Sequence, residues 1–193
     1  MNLNKAIDCL KNGRVIIYPT ESCYAFGADA KNYSAIAKIK KLKNQPIDKP
    51  IHAIVDNLDQ IKNIGIPNLV AEKLSKKFHP GQLNLIIDFI KPKKYQYLSN
   101  SGIAFRIPKN KIARELCQKF GSLITTTSAN IHGEPAIYKI DDIRSKFDHR
   151  VCQIIDAGNL NKSTPVSTIF DTRTRKIIRE GPITLEEIDE ILK

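Results

Sequence analysis

The stretch Lys111-Ile-Ala-Arg-Glu-Leu-Cys-Gln-Lys-Phe-Gly-Ser-Leu-Ile-Thr-Thr-Thr-Ser-Ala-Asn130 holds both halves of an alternating fold. Ile112, Leu116 and Phe120 recur at helical spacing over Lys111–Phe120, and the β-branched run Leu123–Thr127 reads as a strand. That strand runs into Ser128-Ala-Asn130, which gives a run of four hydroxyls followed by Ala-Asn. In a layered α/β protein, ligands bind where loops leave strand ends, so in a central strand the last hydroxyls and the Asn130 amide would face a ligand crevice.

The same alternation continues on both sides. Upstream, the spacing of Leu3, Ala6, Ile7 and Leu10 predicts a helix over 3–12 ending at Gly13, followed by a strand over Arg14–Tyr18 that Pro19 stops. Helices are expected over 33–43 and 68–78, and strands over 51–55, 83–89 and 103–107. Downstream come a short helix near 141–147, strands near 152–155, 167–171 and 176–179, and a helix from Thr184, whose Glu187 completes a capping-box pattern. Lys91–Asn100, with Pro92 and two tyrosines, reads as a long mobile loop. Helices alternating with strands give an α/β fold with a parallel or mixed sheet covered on both faces. The 193 residues are read as one domain spanning 1–193.

Composition removes several classes. No apolar run approaches the ~20 residues of a membrane span, and Met1 to Lys11 is no signal-peptide core, so a cytoplasmic protein without a membrane role is expected. The cysteines Cys9, Cys23, Cys117 and Cys152 form no C-x-x-C pair and are read as reduced, mostly core thiols. Lys and Arg number 31 against 20 Asp and Glu, a net charge of +11. Residues 61–120 hold 12 basic and 3 acidic side chains, a concentration that could attract polyphosphate or nucleic acid.

Familiar catalytic signatures are missing. There is no G-x-G-x-x-G, P-loop, H-E-x-x-H, G-x-S-x-G or S-x-x-K, and His52, His79, His132 and His149 are scattered without ligand spacing. Instead there are clusters rich in hydroxyls and positive charge. Tyr18-Pro-Thr-Glu-Ser-Cys-Tyr24 offers Thr20, Ser22 and Tyr24 in a short loop. Lys41-Leu-Lys43-Asn-Gln-Pro-Ile-Asp-Lys49-Pro50 gathers ammonium groups at a helix end, where lysines also suit the macrodipole. Arg106 lies among apolar strand neighbours and must point outward or face a wet cavity holding an anion. Ser167-Thr-Ile-Phe-Asp171 with Arg179-Glu-Gly181 reads as a hairpin.

In this order the clusters resemble the YrdC/TsaC family of threonylcarbamoyl-AMP synthases. The matched pieces are Tyr18-Pro-Thr-Glu-Ser with Tyr24 and Gly27, Lys43 to Pro50, His79-Pro-Gly81, Phe105-Arg-Ile-Pro108, Thr127-Ser-Ala-Asn130, and Ser167–Asp171 with Arg179-Glu-Gly181. The resemblance implies a twisted mixed sheet flanked by helices around a positively charged cavity. The implied reaction converts L-threonine, bicarbonate and ATP to threonylcarbamoyl adenylate and pyrophosphate, for modification of the adenosine beside the tRNA anticodon. Mg²⁺ would travel with ATP, threonylcarbamoyl-transfer proteins would take the product, and tRNA would be met indirectly or weakly through the basic middle third. The length fits the family's single-domain form.

Carried onto this chain, the family's Lys-x-Arg and Ser-x-Asn motifs fall on Lys43, Gln45, Ser128 and Asn130. Lys43, Ser128 and Asn130 are the expected catalytic residues. ATP would be held by Lys43, Gln45, Lys49, Asn84, Asn130 and Arg179, and threonine by Thr20, Ser22, Tyr24, Arg106, Ser128 and Ser167. Gln45 replaces the usual arginine, with Lys41 or Lys49 placed to compensate, and Asn84 stands where a threonine is usual. The rival reading is a non-catalytic module binding double-stranded RNA, tRNA or a ribosome precursor. Against it, no RNA-recognition aromatic motif is present.

Overall fold

The structure is a computed structural model describing residues 3–193. Helix α1 (Leu3–Lys11) buries Ala6, Ile7 and Leu10, and Gly13, at φ +64, turns the chain into strand β1 (Ile16–Pro19). Then follow β2 (Tyr24–Gly27), α2 (Tyr33–Lys43), β3 (His52–Ile54), α3 (Leu58–Ile61), β4 (Gly65–Ile66), α4 (Leu69–Phe78), β5 (Leu83–Phe89), α5 (Pro92–Tyr95) and β6 (Ile103–Arg106). The chain continues through α6 (Lys111–Phe120), β7 (Ile124–Ser128), α7 (Ile140–Phe147), β8 (Gln153–Ile154), β9 (Thr168–Asp171), β10 (Lys176–Arg179) and α8 (Leu185–Leu192). Asn32, Asn68, Asn110 and Thr184 cap α2, α4, α6 and α8 through side chains that accept first-turn N–H groups, each worth about 1 kcal/mol.

The ten strands form one sheet in the order β10-β9-β5-β6-β3-β7-β2-β1-β8, with β4 added on β5. It is mixed: β1/β8, β3/β6 and β5/β9 run parallel, and the other pairs are antiparallel. Strand periodicity separates two cores. Ile16, Tyr18, Ile54 and Ile124 pack with Ile7 and Leu10 of α1 and Leu116 of α6, whereas Ile17, Phe26, Ala53 and Phe105 pack on the opposite face with Ile36 of α2 and Phe147 of α7. Truncating any of these large buried side chains to alanine costs about 2–5 kcal/mol.

Four expectations are corrected. The hydroxyl loop after Pro19 ends at Cys23, because Tyr24–Gly27 is a strand paired antiparallel with β1. Lys91–Asn100 is packed rather than mobile: α5 lies within it, Tyr95 and Leu98 are buried, the Leu98 carbonyl accepts from Ile51 N–H, and the Tyr97 hydroxyl donates to the Ala30 carbonyl. Cys9 and Cys152 form a disulfide joining α1 to the start of β8, leaving Cys23 and Cys117 as buried free thiols. The basic middle third is not one field. Lys73, Lys76 and Lys77 sit on α4, which packs against the carboxylate-rich α8, while Lys111, Arg114 and Lys119 sit on α6, which packs against α1. Among the described residues no helix is long and apolar enough to cross a membrane.

Candidate functional site

The face covered by α1 and α6 continues beyond them as the floor of a cavity of about 300 Å³, at the lower end of the usual size of ligand pockets. His52 and Ile54 share that face by strand periodicity; Ile54 packs beneath the helices, and His52 opens into the cavity. Adjacent strands complete the floor. His52 of β3 lies opposite Thr126 of β7, and Ser128 of β7 lies opposite Ala25 of β2. Asn84 of β5 and Arg106 of β6 extend it the other way.

Asn84 is placed by the turn before its strand. The half-buried His79 ring stands 2.9 Å from the Ser75 hydroxyl and 2.7 Å from the Leu83 carbonyl. Burial pushes its pKa down to about 4, so the ring is neutral, donating from Nε2 to Leu83 and accepting from Ser75 at Nδ1. Gly81 approaches the Phe78 carbonyl so closely that an added Cβ would lie 2.3 Å from it. Asn84 itself is buried, and its Oδ1 has no hydrogen-bond partner.

The walls come from chain turns. Thr20, Ser22 and Cys23 lie between β1 and β2, and Asn44, at φ 51, turns the chain after α2 so that Lys43, Gln45 and Lys49 face inward. Asn130 and His132 follow β7, and Ser167 and Arg179 belong to the β9–β10 hairpin and its approach.

Lys43 is the most constrained cation. Its Nζ donates to the Ser128 carbonyl, to the Asn130 carbonyl at 3.0 Å and to Asn130 Oδ1 at 3.1 Å. Burial pushes its pKa down to about 8; the nearby Cys23 opposes the shift and the like charge of Lys49 adds to it. Ser128 Oγ donates to Asn130 Oδ1, and Asn130 Nδ2 donates to the Glu134 carbonyl at 2.6 Å. Lysine, serine and asparagine are therefore one network.

Arg106 lines the cavity, as one of the two alternatives has it, but it is already paired within the chain, with Glu21 at 2.9 Å. Both side chains are nearly buried, and Glu21 also accepts from the backbone N–H groups of Lys109 and Asn110. Burial works to raise the Glu21 pKa, but Arg106 and the backbone donors outweigh it and hold the carboxyl below its ordinary range. At the mouth, Arg179 donates twice to the Ser167 carbonyl, at 3.1 and 2.7 Å, and Lys49 Nζ lies 3.3 Å from His132 Nδ1. Gln45 Nε2 donates to the Lys49 carbonyl at 3.4 Å. Four cationic side chains and no carboxylate line the cavity.

Of the residues singled out from sequence, Thr20, Ser22, Lys43, Gln45, Lys49, Asn84, Arg106, Ser128, Asn130, Ser167 and Arg179 are brought together here. Tyr24 is not. It is buried in β2, and its hydroxyl donates to the Gly158 carbonyl and accepts from Ala157 N–H. Lys41 does not reach the cavity, which leaves Lys49 as the extra cation beside Gln45. Sequence reasoning missed Glu21, Cys23, His132 and His52, whereas Thr126 lies in the hydroxyl run already singled out. A polar residue inside an apolar strand, the signal that marked Arg106, also marks His52. Burial, with the charges of Arg179 and Arg106, pushes its pKa down to about 4 and keeps it neutral.

The family model Sua5_yciO_yrdC, described as "Telomere recombination", matches residues 8–181. The chain is 31% identical over 196 residues to a Bacillus subtilis protein named threonylcarbamoyl-AMP synthase, covering 97% of this chain and 56% of that one. It is 30% identical over 178 residues to a protein of the same name from Pseudoalteromonas translucida, covering 90% of this chain and 95% of the relative. The crystal structure of P. abyssi Sua5 complexed with L-threonine superposes with a TM-score of 0.88 at 27% identity, over 98% of this chain and 57% of that one. The chain thus spans little more than half the length of the B. subtilis and P. abyssi proteins and nearly all of the P. translucida one.

Proposed function

The chain belongs to the Sua5/YciO/YrdC family, and from that premise we propose that it is a threonylcarbamoyl-AMP synthase acting on L-threonine, bicarbonate and ATP, with residues 1–193 as one YrdC-like domain. The observation that carries the reading is the convergence of Lys43, Ser128 and Asn130, by direct hydrogen bonds, at the edge of a cavity that also holds Arg106 and Arg179.

The chemistry needs no protein nucleophile. The threonine amine attacks the bicarbonate carbon, a C–O bond breaks and water leaves, giving a carbamate; a carbamate oxygen attacks the α-phosphorus of ATP, the bond from that phosphorus to the bridging oxygen breaks, and pyrophosphate leaves. The protein must align two anions and offset growing charge. Lys43, Lys49 and Arg179 suit the phosphates, with Ser128 and Asn130 fixing the Lys43 ammonium. Thr20, Ser22, Arg106 and Ser167 suit the amino acid, and Asn84 can take a hydrogen bond from whichever ligand reaches β5. Among the described residues no group of three or more His, Cys, Asp or Glu could hold a metal, so Mg²⁺ would enter on the nucleotide.

Delivery of the adenylate to tRNA through threonylcarbamoyl-transfer proteins belongs to the same proposal, as does a cytoplasmic location. The Cys9–Cys152 disulfide tells against that location, since such bonds are rare in reducing compartments.

Pyrophosphate release tests the reading. Release should require L-threonine and bicarbonate together, and should fall about tenfold or more in Lys43→Ala and Ser128→Ala. ATP left intact, alongside tight and steeply salt-dependent RNA binding, would favour the non-catalytic module instead.

A further inference from the structure

The cations of the cavity are not electrically equivalent. Arg106 carries its own carboxylate: Glu21 lies 2.9 Å away, with only 11% of its side chain exposed. Lys43, Lys49 and Arg179 have no carboxylate partner among the described residues, and their polar contacts are carbonyl oxygens, one side-chain amide oxygen and an imidazole. One side of the cavity therefore offers net positive charge. The other offers a guanidinium whose charge is already balanced and which lines the cavity together with Thr20 and Ser22.

A balanced guanidinium discriminates among anions. A carboxylate and a phosphate can both take paired hydrogen bonds from the planar fork. The Glu21 carboxylate held against Arg106 repels either anion, but a phosphate dianion or a polyphosphate carries more charge than a single carboxylate and is repelled more at short range in a poorly solvated setting. The geometry of Glu21 is built for this constancy, since Arg106 and two backbone N–H groups hold it in one place.

We propose that Glu21 is the residue that decides which anion the Arg106 side accepts: it admits the single carboxylate of an α-amino acid and turns away inorganic phosphate and the phosphates of the nucleotide. The inference rests on the synthase reading for the identity of the amino acid. It adds a role for a residue that does not line the cavity. Without this carboxylate the four cations would form one continuous phosphate site, and the triphosphate could occupy the amino-acid position.

Calorimetric titration of the full chain at fixed ionic strength tests this, with inorganic phosphate and L-threonine as the titrants. Glu21→Gln should bind phosphate about tenfold more tightly than the wild type. Glu21→Asp should resemble the wild type, and the double variant Glu21→Gln/Arg106→Gln should lose the gain. A second comparison serves if Glu21→Gln does not fold: Arg106→Gln alone should lose L-threonine binding about tenfold and, with the Glu21 charge left unbalanced, bind phosphate more weakly, and the double variant should restore phosphate binding to about the wild-type value. Equal phosphate affinity in wild type and Glu21→Gln, a gain that survives Arg106→Gln, or Arg106→Gln alone binding phosphate no more weakly than the double variant overturns the proposal. Absence of L-threonine binding to the wild type would overturn the functional reading, and the phosphate titrations would still decide the role of Glu21.

Discussion

Lys43 Nζ lies 3.0 Å from the carbonyl oxygen of Asn130 and 3.1 Å from the amide oxygen of the same residue. One asparagine thus holds the ammonium twice, and the third contact is the Ser128 carbonyl. The cation is fixed before any ligand arrives, so little reorganisation is needed when negative charge develops nearby.

This arrangement predicts a pH dependence. The Lys43 pKa is about 8 rather than 10.5, so the free protein loses the positive charge as pH rises through about 8. ATP affinity should fall across that range, and Lys43→Arg, which stays charged, should remove the alkaline limb in a direct binding assay. Stability should move oppositely. Between about 8 and 10.5 the unfolded chain holds a proton that the folded chain has lost, so this group's contribution becomes more favourable as pH rises.

Asn84 predicts a trade between stability and binding. A buried acceptor with no partner costs about 1–3 kcal/mol, and no protein group donates to Asn84 Oδ1 among the described residues. Asn84→Leu should therefore raise the melting temperature while pyrophosphate release falls; a variant losing both would show that the amide supports the fold instead.

Gln45 predicts a gain. It is buried against the cavity with a neutral side chain, beside Lys49. Gln45→Arg should tighten ATP binding, as measured by titration. An unchanged affinity would mean that Lys49 already supplies the charge.

The disulfide predicts a stability effect without a large effect on the site. Cys9 and Cys152 are 143 residues apart in sequence, and chain-entropy reasoning puts the loss on opening such a loop at about 4–5 kcal/mol. Cys152→Ser should lower the urea midpoint by a corresponding amount. Thiol titration of the unfolded, unreduced wild type should find two free thiols.

Much of the fold was legible because it is local. The periodicities that define α2, α6, β5 and β10 match their observed bounds, and Thr184 with Glu187 forms the expected capping box. Strand β2 was hidden because four residues flanked by hydroxyls carry no period. Pro92 and two tyrosines suggested a loop, yet Pro92 begins a helical turn, and Tyr95 stacks on Phe89. Eleven of the twelve singled-out side chains meet in the cavity, because hydroxyls, amides and cations at strand ends mark a crevice. Glu21 escaped notice because its partner is 85 residues away, and the Cys9–Cys152 disulfide because widely spaced cysteines with no C-x-x-C pair read as reduced thiols, although these two meet across 143 residues of sequence.

The cavity floor draws on β5, β6, β3, β7 and β2, neighbours in space whose contributing residues, Asn84, Arg106, His52, Thr126 and Ala25, are scattered through the first two thirds of the sequence. A slip of one residue in β5, β6 or β3 would turn an apolar neighbour, Leu85, Phe105 or Ala53, into the space and withdraw the polar side chain to the other face. Ligand recognition is thus a checksum on the registration of the whole central sheet. During refolding it should appear with the last of the four pairings among these strands, after helix and compactness signals have already recovered.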